Sequence, residues 1–393
     1  MPDPLGGGRD RLHLAFAGLL SGIGDRAGTG MAASPELGCQ AAACCSDSGF
    51  VMSRRVLVSP DSFKGTFSAT EVARAIGRGL EHAGAFADLC PVADGGEGTM
   101  EILASALGGT RFHQTVLDPI GRPIRAGFGL LSPDRRRAIL DMASASGLGH
   151  LAEGERDPWS ASTYGTGQLI RAAVDGGARE VIIGVGGSAT VDGGRGAIEA
   201  IADAGGIGDA RLIVLCDVRT TWERCAEIYR PQKGADERTV RRLAGRLDEF
   251  AKKLPRDPRG IAMTGAAAGL AGGLWAALDA ELVAGAPFVL DAIAFNDRLR
   301  SASCVVVGEG RLDLQSMMGK IVGEIGARAR AANIPALAAV GRNELPPDAV
   351  RSAGLAEVIE ARNLRELELA GARVADWLAR AAADRLVLWS VTA

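Results

Sequence analysis

The chain has 393 residues, a length that suits two domains. Its 44 basic and 47 acidic residues leave a formal charge of −3. That near-balance argues against a nucleic-acid partner, which calls for a basic excess to neutralise phosphates. Hydrophobic content of 47% suits a globular core, and no apolar run reaches the roughly 18 residues of a membrane helix.

Residues 1–51 come first and differ from the rest. They hold Gly6-Gly7-Gly8 and an AAACC run, with no amphipathic period. Leu12–Ile23 is apolar and follows Arg9 and Arg11, as in a signal peptide, but no small-x-small cleavage site follows. We read 1–51 as a disordered leader or a mis-assigned start, with Met52 the natural start. Seven Cys without a CxxC pair and four His without HxxxH spacing argue against a disulfide framework or a zinc site. A reduced, cytoplasmic protein is expected.

From residue 55 the pattern alternates strands and helices, the α/β signature. Strands are expected at Arg55–Ser59, Ala87–Val92, Phe112–Leu117, Ile124–Leu131, Ala138–Met142, Glu180–Gly184, Leu212–Cys216, Cys304–Val307 and Ala336–Val340. Ser68-Ala69-Thr70-Glu71 is a capping box that starts a helix running to about His82. Further helices are expected after Gly98, over Ser162–Asp175, after Gly194, over Asp236–Leu254, before Ala331 and near Leu364–Ala382. Three consecutive strands over 110–141 indicate an antiparallel portion, and Gly265–Gly273 reads as a loop.

Four strand ends open into loops that join glycine to acid or lysine: Asp61-Ser62-Phe63-Lys64-Gly65, Asp94-Gly95-Gly96-Glu97-Gly98, Gly184–Gly194 with Asp192, and Gly308-Glu309-Gly310-Arg311-Leu312-Asp313 ahead of Lys320. Asp217 follows the strand ending at Cys216, and Lys233 lies in a Pro-Gln-Lys-Gly segment. Only five of the 44 basic residues are Lys, so lysines kept in such loops mark places that need a compact ammonium rather than a fork. Glycine lets backbone N–H groups approach an anion, and lysine supplies a point charge. Acids in the same cleft would repel that anion unless a divalent cation stands between them, so the set points to phosphate with magnesium and to phosphoryl transfer. Structural readings compete. Any one glycine turn serves geometry alone more often than chemistry, and Asp94, Asp192 or Asp217 could each cap a helix. No GxxxxGK[ST] is present. Gly184-x-Gly186-x-x-Ala189 fits a dinucleotide fingerprint, which keeps an NAD-type oxidoreductase as a rival; a non-catalytic two-domain sugar-acid sensor is a second.

Together SPDSFKGTFSATEVARAI, PVADGGEGT, GVGGSATVDGG, PQKGAD, GAAAGLAGGL and GEGRLDLQS resemble, in order from about Val56 to Gly341, the signatures of the bacterial glycerate kinase family, glycerate 2-kinase type. The resemblance implies ATP- and Mg2+-dependent phosphorylation of D-glycerate, commonly to 2-phosphoglycerate. It also implies two α/β domains: a flavodoxin-like parallel-sheet domain from both chain ends (53–115 plus 300–393) and an inserted mixed α/β domain (116–299), with the site between them. Asp192 is expected as general base, with Lys64 beside it in catalysis. Asp61, Ser62, Gly186, Gly187 and Ser188 are expected at the substrate, with Asp94, Gly95, Gly96, Lys233, Gly310 and Lys320 at the nucleotide. Asp217, Glu309 and Asp313 are expected at the metal. A homodimer is left open. The chain departs from the family pattern at Val191 (usually Asn), Ala268 and Leu314 (usually Gly), is short over 204–211, and lacks Asn-Pro and Pro-Asn-Gly pieces over 219–230.

Overall fold

A computed structural model describes residues 55–131, 133–228, 236–317 and 320–391, with side chains to 383 in the last helix. The leader and Lys233 lie outside these residues. Two sheets organise the fold. The first takes β1 (Arg55–Pro60) and β2 (Phe86–Leu89) from one chain end and β9 (Cys304–Leu312), β10 (Ala336–Asn343) and β11 (Leu355–Glu360) from the other, in the order β2-β1-β9-β10-β11. Every pair in it is parallel. With its five strands counted along the chain this is the 2-1-3-4-5 flavodoxin-like order, whose switch point lies between β1 and β9.

The apolar runs of this sheet are buried on both faces, as parallel strands require. Val56 and Val58 point to one side with Cys304, Val306, Leu337 and Ala339, under α1 (Ala69–His82). Leu57 points to the other with Val305, Val307, Ala338 and Val340. The two-residue period of a strand thus divides one continuous run between two cores. Ser68 caps α1: its hydroxyl accepts the Glu71 N–H, and the Glu71 carboxylate accepts the Ser68 N–H.

The second sheet is inserted in sequence and mixed. It contains β3 (Thr110–Leu117), β4 (Pro123–Leu131), β5 (Arg137–Asp141), β6 (Glu180–Gly184), β7 (Arg211–Cys216) and β8 (Glu281–Ala284), in that order. The first two pairings are antiparallel and the last three parallel. The carboxyl ends of β5, β6 and β7 therefore share one edge of the sheet. Helices α2 (Thr99–Ala106), α3 (Tyr164–Asp175) and α4 (Arg195–Asp203) pack on it, followed by α5 (Glu237–Ala251) and α6 (Leu270–Leu278). Beyond β9 come α7 (Ile321–Ala331) and α8 (Leu364–Val391).

Two strands depart from the sequence expectation. β8 and β11 are edge strands and carry the charges Glu281, Glu357 and Glu360. Such charges blunt an edge against further pairing and also hide the apolar signature of a strand. The Gly/Ala loop is shorter than expected, because α6 begins at Leu270. Just before it, buried Ala267 and Ala268 take left-handed backbone angles (φ 49° and 53°). Among the described residues no helix is long and apolar enough to cross a membrane.

α1 and α8 touch backbone to backbone. A Cβ on Gly79 would stand 1.8 Å from the Glu368 carbonyl oxygen, and one on Gly371 would stand 2.1 Å from that of Ile76. Gly79→Ala must push the helices apart. It is expected to cost about 2–3 kcal/mol in urea unfolding, whereas Gly245→Ala, in an open stretch of α5, should gain up to about 1 kcal/mol. A neutral Gly79→Ala would show that the crossing is looser than described.

Candidate active site

The carboxyl ends of the first sheet's central strands deliver the first group of site residues. β1 ends at Pro60 and releases Asp61, Ser62 and Lys64; β9 carries Glu309 beside it. The Asp61 N–H donates to the Gly308 carbonyl at 2.8 Å, joining the two strand ends at the switch point. Gly310 lets β9 approach the first loop: its Cβ would lie 3.4 Å from the Phe63 Cα.

The second loop reaches across to the other sheet. The Val185 N–H, just past β6, donates to the Gly95 carbonyl at 2.9 Å. Gly95 (φ +94°) has room for no side chain, because a Cβ would lie 2.8 Å from the Gly285 Cα. A Cβ on Gly186 would lie 2.6 Å from the Gly96 Cα. Gly95, Gly96 and Gly186, expected at nucleotide and substrate, are thus needed first for loop-to-loop contact. Gly187 faces the Glu97 carboxylate and Ala143, and buried Ser188 bridges to Gly147.

Where the strand ends meet, Lys64 Nζ lies 3.6 Å from Asp94 Oδ2. Asp94 is buried and its other oxygen accepts the Gly96 N–H at 3.0 Å, while the Lys64 side chain is 54% exposed and open to a ligand. Asp94, then Asp61, Asp217 and Glu309, hold the Lys64 ammonium well above the ordinary lysine range. Burial and then repulsion from Asp94 push the Asp61 carboxyl well up, although Lys64 and the Ser62 N–H, donating at 2.6 Å, pull it down. Asp217 is raised to about 6, by burial first and Asp94 second, against Lys64 and Lys320. Glu309 is raised to about 7, chiefly by burial, against a Ser316 hydrogen bond and Lys320. Its Oε1 is buried without a hydrogen-bond partner. Lys320 stands at the N-terminus of α7. A cleft of about 310 Å3 opens beside this group, lined among others by Asp61, Ser62, Lys64, Thr66, Glu97 and Glu101.

Asp313 and Asp192 are engaged differently. Asp313 pairs with Arg311 at 3.1 Å and accepts the N–H groups of Gln315 and Ser316. Asp192 accepts from the Thr163 N–H at 2.8 Å, the Thr163 hydroxyl at 2.7 Å, and the N–H groups of Gly194 and Gly196 at 3.1 Å each. These bonds tie the start of α4 to the start of α3. The neighbouring Val191 is buried in a separate core with Trp222, Leu243 and Leu247. Among the described residues no three acidic, histidine or cysteine side chains form a ready metal cage, Asp217, Glu309 and Asp313 included.

Sequence reasoning missed Asp141, whose buried carboxylate accepts the Gly98 and Met100 N–H groups. An acid at a strand's carboxyl end is the available signal, but the three consecutive strands over 110–141 draw β5 into an antiparallel reading. The dinucleotide rival loses its geometry here. β6 ends at Gly184 and α4 starts only at Arg195, whereas the fingerprint needs a helix opening directly from the glycine turn.

Asp61, Asp94, Asp217 and Glu309 thus gather round Lys64 and Lys320 at a switch point, beside a helix start, an arrangement of the kind that suits phosphoryl transfer. The chain belongs to the Glycerate kinase family, whose sequence model matches residues 56–205 and 204–390. A glycerate kinase from Halalkalibacterium halodurans is 38% identical over 323 residues, 73% of this chain and 85% of the relative. A glycerate 2-kinase from Escherichia coli strain K12 is 36% identical over 306 residues, 68% of this chain and 80% of the relative. A crystal structure provisionally named glycerate kinase 2, from Salmonella typhimurium LT2, superposes with a TM-score of 0.69 at 31% identity, covering 84% of this chain and 99% of that one.

Folding raises the Glu309 pKa from 4.5 to about 7. Within that window the folded state holds more protons than the unfolded one, so this group's contribution to stability falls as pH rises and stays low above it. In metal-free buffer with chelator, Glu309→Gln should therefore add on the order of 2 kcal/mol at pH 8 and close to nothing at pH 4.5. An equal gain at both pH values would detach the effect from ionisation.

Proposed function

We propose that this chain transfers the γ-phosphoryl group of ATP to D-glycerate, at the 2-hydroxyl. The observation that carries the reading is Lys64 against Asp94 at the meeting of strand ends from both sheets. Lys64 binds phosphoryl oxygens as a point charge, and Lys320 with the start of α7 meets the rest of the triphosphate. Ser62 and the cleft beside it receive the small acid.

The four carboxylates exceed the two lysines in charge, and the orphaned Glu309 Oε1 faces no donor. This donor set fits Mg2+, which takes one or two carboxylates together with phosphates and keeps water elsewhere. Glu309 and Asp217 would hold it. Asp313 fits less well, because Arg311 and two N–H groups already engage it. The ion would offset charge on the transferring phosphate.

We assign the general base to Asp61 in place of Asp192. A base near neutral pH needs a raised pKa and a free lone pair. Asp61 is raised and lines the cleft, whereas Asp192 accepts four hydrogen bonds and serves as a helix cap. We also place the start of the inserted domain before residue 110, since β3 pairs within the second sheet. The buried thiols of Cys90, Cys216 and Cys304 suit a reducing cytoplasm.

A coupled ADP-release assay over C3–C6 hydroxy acids, with NMR of the product, tests the activity. Asp61→Asn should lower kcat by roughly 10² to 10⁴, and Asp192→Asn by no more than about threefold, since Asn also caps helices. The reverse order would return the base to Asp192. Lys64→Arg should lose at least about tenfold in kcat/KM although charge is kept, because a fork does not replace a compact ammonium. Full activity there would remove Lys64 from the phosphate site.

A further inference from the structure

We propose that Asp141 is the positioning residue that holds the Asp94 loop in register for phosphoryl transfer; this deepens the kinase reading and rests on it. Asp141 ends β5 in the second sheet and is buried. Its Oδ2 accepts the Gly98 N–H at 2.8 Å and its Oδ1 accepts the Met100 N–H at 3.0 Å.

The need for it comes from the loop itself. α2 starts at Thr99 with Gly98 as its cap residue, and glycine has no side chain to satisfy the first N–H groups. A carboxylate from a distant strand supplies both acceptors, and its charge suits a helix N-terminus. The same short loop carries Asp94 at its other end, with one oxygen on the Gly96 N–H and the other toward Lys64. Only four residues separate Asp94 from the anchored helix start, so fixing Gly98 and Met100 sets how far Asp94 reaches. The anchor also abuts β6: a Cβ on Gly184 would lie 2.8 Å from Asp141 Oδ1 and 3.0 Å from the Gly95 carbonyl oxygen. One carboxylate thus locks the loop against the strand that bounds the site.

The arrangement is costly. Burial, with Glu97 and Glu101 nearby, raises the Asp141 carboxyl to about 7 against the pull of its two N–H donors. An amide in its place offers one acceptor and turns an NH2 toward the other N–H.

The test compares Asp141→Asn with Asp118→Asn, well below both unfolding midpoints. Asp118 is a second buried acid that also accepts backbone N–H groups, from Ile120 and Arg122, but in the turn between β3 and β4. Asp141→Asn should lower kcat at least about tenfold, as expected when a reacting group is misplaced by a fraction of an ångström. Asp118→Asn should lower the melting temperature while keeping kcat within about twofold. Wild-type kcat in Asp141→Asn, or equal losses in both variants, would overturn the proposal. If Asp141→Asn does not fold, amide exchange on the wild type decides: Gly98 and Met100 should be as protected as the interior of β5, and rapid exchange there overturns the proposal. A wild type that never phosphorylates glycerate sinks the kinase reading instead, and the exchange experiment still reports on the anchor.

Discussion

The structure depends on an electrostatic imbalance kept in one place. Lys64 stands among Asp61, Asp94, Asp217 and Glu309, supplied by strand ends or loops of both sheets. Burial first, and repulsion between like charges after it, hold the carboxyls of Asp61, Asp217 and Glu309 up, and that is the cost of gathering them here. A fold that only needed stability would place apolar side chains there. On the proposed reading, a cation and an anionic substrate entering together would relieve a penalty already present.

Bringing strand ends of two sheets to one point forces backbones into contact, and this fixes glycine at the points where they touch. Gly95 against Gly285 and Gly96 against Gly186 approach closer than any side chain allows. A glycine-rich loop in this chain is first a joint. Its N–H groups can serve a ligand only where the joint leaves them free: in the run from Ser62 to Thr66, those of Ser62, Phe63 and Thr66 are already taken by Asp61, Phe67 and Phe63.

Much of this was legible in the sequence because a parallel strand buried on both faces is an unbroken apolar run. Val56-Leu57-Val58 and Val305-Val306-Val307 announce themselves, and the acids and lysines that follow them mark the carboxyl edge where α/β sheets bind ligands. The edge strands β8 and β11 did not, because their charges mask the period. Asp192 misled for a related reason. A glycine-flanked acid after a strand looks like a base, and only the tertiary approach of Thr163, 29 residues away, shows it saturated with donors. Asp141 was hidden in the opposite way: its partners, Gly98 and Met100, are backbone N–H groups, which no side-chain pattern reveals.

The first sheet's assembly has a consequence for synthesis. β1 lies between β2 and β9, so its second neighbour does not exist until the ribosome has passed residue 304. All of the mixed sheet, from β3 to β8, emerges in that interval. A nascent chain therefore carries a strand with the apolar run Val56-Leu57-Val58 and one bare edge for most of its translation, the kind of surface on which chains pair with each other. Completion of the first sheet thus waits for the last quarter of the chain, with β1 held open as its template.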